Sequence, residues 1–261
     1  MPTATNDGIE LYYETAGEGE TVAFVGEAGY GAWQWGWQHR RVTGPYRTVV
    51  WDLRGTGRSD APAGPYDVET LAADLETVLA AIPAQRVHLV GAGLGGMVAL
   101  RHAREYARSR TLTLFNTAAT GTAIDEAAYR ELFAPAEDET ALRASLSGAF
   151  SREFRRDQSS LIDRICEWRV AEDADPEARE AQVAAALSFD AGPLYELTHP
   201  ALVCHGLDDP VFPAEAGRKL AADLPNAAFE AVEGRHLCFV EHARAVTDRL
   251  LDFLDEHSPQ R

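Results

Sequence analysis

Gly91-Ala92-Gly93-Leu94-Gly95-Gly96 lies between the apolar run Val87-His88-Leu89-Val90 and a helical stretch that opens Met97-Val98-Ala99-Leu100. A strand that turns sharply into a helix through Gly-x-nucleophile-x-Gly exposes its central side chain at the turn. Here the central residue is Gly93, which has no side chain to attack anything. The same letters also spell Gly-x-Gly-x-x-Gly, a phosphate-cradling pattern of dinucleotide sites. That second pattern wants a carboxylate about 20 positions on, at the end of the next strand. The chain has Phe115-Asn116-Thr117 there, so the elbow is the better reading. An elbow backbone costs a non-glycine residue roughly 1–3 kcal/mol, and glycine relieves that strain.

Outward from this turn, short apolar runs alternate with helical patterns. Val22-Ala23-Phe24-Val25, Val49-Val50-Trp51, Leu112-Thr113-Leu114-Phe115 and Leu202-Val203-Cys204 read as strands buried on both faces. Gly8 to Glu14 alternates like a strand, and Gly17-Glu18-Gly19 reads as a turn. Val68, Leu71, Leu75, Val78, Leu79 and Ile82 recur at helical spacing, predicting a helix over 68–82. After Cys204 the pattern predicts a helix over 214–224, a strand over 227–232 and a final helix over about 240–256. This rhythm implies an α/β fold, with a mostly parallel twisted sheet carrying helices on both faces. Residues 118–197 are helical, acidic and arginine-rich without a buried strand. They are expected to form a helical cap inserted into a core of residues 1–117 and 198–261.

Three separated segments then carry a family resemblance. Asp52-Leu53-Arg54-Gly55-Thr56-Gly57-Arg58-Ser59-Asp60 is similar to an Asp-x-Arg-Gly-x-Gly-x-Ser loop, the elbow is the second segment, and the third is His205-Gly206-Leu207-Asp208-Asp209-Pro210, with His236 27 residues after Asp209. In kind, order and spacing these resemble the α/β-hydrolase superfamily, in the cap-bearing branch of lactonases and carbon–carbon bond hydrolases. The resemblance implies an α/β-hydrolase fold with Asp209 as the acid, His236 as the base and Gly93 in the nucleophile's place. It also implies an oxyanion hole made by the backbone amides of Ala28 and Leu94. The likeness fails at a second point, since Gly26-Glu27 stands where the family has His-Gly. A Glu27 side chain near that hole would oppose a developing oxyanion, and Glu27 is a candidate general acid or base, a candidate cation ligand, or a solvated loop carboxylate. Tyr30 and Trp33, with Trp35 and Trp37, are candidates to line a hydrophobic substrate pocket, the alternative for the tryptophans being to anchor a helix to the sheet. Asp52, Arg54 and Ser59 are expected to fix their loop by hydrogen bonds.

Composition narrows the partners. The chain has 261 residues, 41 acidic and 24 basic, for a net charge of −17, and Lys219 is its only lysine. Such a surface repels nucleic acid and anionic membranes, and suits a protein kept soluble in concentrated salt. No apolar run approaches the ~20 residues of a membrane span, and the polar opening residues show no signal core. Cys166, Cys204 and Cys238 lack metal-ligand spacing and read as buried free thiols. A cytoplasmic protein of a halophilic organism is expected, with no metal or cofactor and with its oligomeric state open.

Without a serine hydroxyl there is no acyl-enzyme. The first functional expectation is a non-serine hydrolase or lyase acting on a small apolar lactone- or ester-like substrate. In it the Asp209–His236 dyad would activate water in the space the serine leaves, or abstract a substrate proton. The alternative is a binding or regulatory protein that has kept the fold without the chemistry.

Overall fold

Every residue of Thr21–Val25 and Val87–Ala92 is buried, which is why these runs form central strands covered on both faces. The computed structural model describes residues 2–258. Its strands are β1 (Thr3–Asn6), β2 (Ile9–Ala16), β3 (Thr21–Val25), β4 (Arg47–Trp51), β5 (Val87–Ala92), β6 (Ser109–Phe115), β7 (Ala201–Gly206) and β8 (Ala227–Val232). They form one sheet in the order β1-β2-β4-β3-β5-β6-β7-β8. The first two pairings, β1 with β2 and β2 with β4, are antiparallel, and the other five are parallel.

Three boundaries differ from the sequence expectation. Strand β1 was not anticipated, and it joins β2 through Asp7-Gly8, both at positive φ, a two-residue hairpin signal present in the sequence. The helix predicted over 68–82 is Val68–Ala80, capped at its start by Asp67 and closed ahead of Pro83, which disfavours helix in the residue before it. The expected last helix is divided at His242 into Cys238–Glu241 and Ala243–His257. Between β6 and β7 the chain runs through five α-helices from Glu126 to Ser188, without a strand. Among the described residues no helix is long and apolar enough to cross a membrane.

The register brings the chemistry together. Val25 of β3 pairs with Gly91 of β5, Ala92 with Phe115 of β6, and Phe115 with Cys204 of β7. The loops that leave the carboxyl ends of these parallel strands are therefore neighbours, the usual place for a site in such a sheet. They carry Glu27, Gly93, Asn116 and Asp209. Gly95 must be glycine for this packing, because a Cβ there would drive into the carbonyls of Val25 and Gly26.

Candidate active site

Gly93 adopts φ 51° and ψ −115° at the head of the helix Leu94–Glu105. This is the strained turn that the elbow demands, and a glycine holds it at little cost. The space above it is not open. A Cβ built on Gly93 would overlap the carboxylate of Glu27, with Oε2, Cδ and Oε1 as its three nearest atoms. Glu27 reaches across from the loop after β3 and fills the volume of the expected nucleophile.

The carboxylate is wholly buried, and its oxygens are divided between two sets of partners. Oε1 accepts the amide N–H of Ala28 at 2.5 Å, the amide N–H of Leu94 at 3.0 Å and the hydroxyl of Tyr129 at 2.5 Å. Oε2 lies 2.8 Å from His236 Nε2. The amides of Ala28 and Leu94 do converge on one point, and that point is already taken by Glu27 Oε1. Glu27 is not a solvated loop carboxylate.

His236 sits between two carboxylates, with its Nδ1 3.1 Å from Asp209 Oδ2 and its ring stacked on Phe212 at 5.7 Å. Burial opposes a charge on this imidazole, but Asp209 and then Glu27 outweigh it and lift the pKa to about 10. The ring is therefore an imidazolium at neutral pH. Burial likewise opposes the Asp209 charge, but His236 and the Asn116 side chain hold its carboxyl below the usual range. Asp209 also accepts Asn116 Nδ2 at 2.7 Å, Val211 N at 2.8 Å and Phe212 N at 3.2 Å. The Tyr129 phenol is pushed well up by burial and by Glu27, so it stays a donor.

The expected activation of water beneath His236 does not fit this arrangement. A base must arrive unprotonated and within reach of its water. His236 carries its proton, and Glu27 fills the water's place. Trp33 lines a cleft between the helices Gly36–Val42, Ser159–Glu172 and Ala243–His257, away from Glu27, and both it and Tyr30 serve as anchors. Both are buried and tie the loop after β3 to the helix Ser159–Glu172. Trp33 Nε1 donates to Asp173 at 2.9 Å, and Arg169 lies 4.8 Å from the centre of the Tyr30 ring. The Asp52 loop is closed by its own bonds, with Ser59 Oγ donating to Asp52 O at 2.6 Å and Arg54 forked onto Asp74. Among the described residues no group of three or more His, Cys, Asp or Glu could hold a metal ion.

Sequence reading missed Tyr129, Asn116 and Gln34, whose Oε1 accepts the Glu27 amide at 3.1 Å. Asn116 had a signal, since it follows a strand end that carries no carboxylate. Tyr129 had none, because it reaches Glu27 from 102 residues away in the helical stretch between β6 and β7.

The profile of the Alpha/beta hydrolase family matches residues 24–249. This chain belongs to that family. It is 29% identical over 268 residues to the 2-hydroxy-6-oxo-6-phenylhexa-2,4-dienoate hydrolase of Burkholderia cepacia, covering 94% of this chain and 91% of that one. It is 26% identical to 3-oxoadipate enol-lactonase 2 of Acinetobacter baylyi, with 93% and 92% covered. The crystal structure of the enol-lactonase from Burkholderia xenovorans LB400 superposes with a TM-score of 0.85 at 26% identity, over 97% of this chain and 100% of the other. The fold is thus the α/β-hydrolase fold, in the lactonase and carbon–carbon hydrolase branch. Within this family fold, the elbow of the present chain holds an internal carboxylate.

Proposed function

We propose that this α/β-hydrolase family member does not hydrolyse esters and serves as a small-molecule binding protein whose former reaction centre is closed by Glu27. The observation that carries this reading is the position of the Glu27 carboxylate, with one oxygen on both amides of the oxyanion hole and the other on His236. Loss of a triad serine costs on the order of 10⁶ in turnover, and an occupied oxyanion hole forfeits a further 10²–10³ or so per donor. A protonated His236 removes the remaining base. Together these leave little for a non-serine dyad to work with.

One observation favours a second reading. A carboxylate with one oxygen held by amides and the other facing an imidazolium is also poised to attack a saturated carbon. Attack of Glu27 Oε2 on a strained cyclic ether would break the ring C–O bond, and the departing alkoxide would take the Nε2 proton of His236. The imidazole so freed would deprotonate a water that hydrolyses the ester and restores Glu27. That protein would be a hydrolase of alkyl electrophiles.

The test is a panel of lactones, activated esters and strained cyclic ethers, assayed on the parent, Gly93→Ser, Glu27→Gln and the pair Gly93→Ser/Glu27→Gly. The proposal expects a silent parent and a silent Gly93→Ser, whose new side chain has no room beside Glu27. It expects ester turnover in the paired variant, because Glu27→Gly clears the volume and frees both amides. Parent turnover abolished by Glu27→Gln would overturn it in favour of the alkyl-accepting enzyme.

A further inference from the structure

A cleft of about 650 Å³ opens between the helices Gly36–Val42, Ser159–Glu172 and Ala243–His257, with none of Glu27, Asp209 or His236 in its wall. Its volume falls in the range of small-molecule sites. Its charge runs against the rest of the chain. The protein carries 41 acidic and 24 basic residues, yet the wall holds four arginines and one acidic residue. Arg41 is paired with Asp248 at 2.5 Å. Arg40, Arg164 and Arg244 pair with no carboxylate among the described residues, although acidic residues outnumber basic ones in the chain as a whole. Each comes from a different helix, so they surround the opening.

The interior is aromatic. Trp37 and Trp168 meet edge to face with ring centres 6.1 Å apart, and Leu161 extends the apolar wall. Arg164 lies 5.1 Å from the centre of the Trp168 ring, which steadies that indole and holds the guanidinium at the rim. Glu172, the one acidic group in the wall, is engaged in accepting the Trp33 amide N–H at 3.0 Å. An inorganic anion would engage the arginines and leave two indoles wet. An uncharged aromatic would cover the indoles and leave three guanidinium groups unanswered.

We infer that this cleft binds an aromatic carboxylate, with its ring against Trp37 and Trp168 and its anionic group among Arg40, Arg164 and Arg244. Guanidinium groups suit a carboxylate because their forked N–H donors match its two oxygens. The site is separate from the centre around Glu27, so its test stands or falls independently of the reading given there.

The test is calorimetric titration of the full chain with 1-naphthoate, with 1-naphthalenemethanol as the uncharged analogue and inorganic phosphate as the bare anion, all at one fixed salt concentration. Saturable one-to-one binding of the naphthoate is expected, roughly tenfold or more tighter than that of the alcohol or the phosphate. The pair Arg164→Gln/Arg244→Gln should weaken naphthoate about tenfold, and Trp168→Ala should weaken naphthoate and alcohol alike. Lys219→Gln, on another face, should change nothing. Both arginines are exposed, so these variants keep the fold, which a thermal melt verifies. Naphthoate binding no tighter than the alcohol, or unaltered by the arginine pair, would overturn the assignment.

Discussion

A Cβ at position 93 and a carboxylate at position 27 compete for one volume, and each residue is intelligible only through the other. Glycine at 93 makes room for the Glu27 carboxylate, which then satisfies two amides, a phenol and an imidazolium that are all buried. A buried charge pair broken from one side costs about 3–5 kcal/mol, because the remaining charge is left without a partner. The pairing also makes stability depend on pH. His236 is lifted from its ordinary 6.5 to about 10 in the folded chain. Its contribution is therefore complete below about 6.5 and is lost as pH rises through about 10. Urea unfolding between pH 7 and 10 should show stability falling in the parent and falling less steeply in Glu27→Gln. Parallel profiles would contradict the ion pair. Gly93, Asp209 and His236 could be read from the sequence because they sit in short local patterns at fixed spacing. The direction of Glu27 could not, since it depends on the register of β3 against β5 and on a rotamer that only the empty elbow permits.

At the scale of elements, the β3 loop is pinned from above by the helix Ser159–Glu172. Arg169, 2% exposed, donates to Asp173 at 2.7 Å, to Ser145 Oγ at 2.8 Å and to the Leu132 carbonyl at 3.1 Å. Asp173 in turn accepts the Trp33 indole N–H and the Gly31 amide. One guanidinium thus joins the helices between β6 and β7 to the loop that carries Glu27. Arg169→Met would leave the half-buried Asp173 without its cation and should cost about 3 kcal/mol. Denaturant unfolding measures this, and a loss under 1 kcal/mol would show that the link carries little. The alternation of strands and helices was legible because buried strands are continuous apolar runs. The contacts of the stretch between β6 and β7 were not. Its amphipathic helices reveal a buried face without naming what that face meets, and so Tyr129 and Arg169 gave no sign of their partners.

For the whole molecule, composition revealed a net charge of −17 but not its distribution. Arg40, Arg164 and Arg244 are far apart in sequence and converge only when three helices pack. The family likeness was legible in the segments outside residues 118–197, and the 0.85 TM-score with an enol-lactonase agrees with it. The chemistry followed the fold less closely, because two residues, Glu27 after β3 and Gly93 after β5, reverse the meaning of the family scaffold. The most direct measurement of that reversal is thermal unfolding of the parent and of Glu27→Ala with and without formate, at matched ionic strength. Removing the Glu27 carboxylate leaves two amides, a phenol and an imidazole aimed at one empty anion site. Formate should therefore raise the Tm of Glu27→Ala by several degrees, through binding to the folded state alone, and leave the parent unmoved. Equal shifts in both proteins, or none in Glu27→Ala, would contradict the claim that Glu27 fills the catalytic centre of this fold.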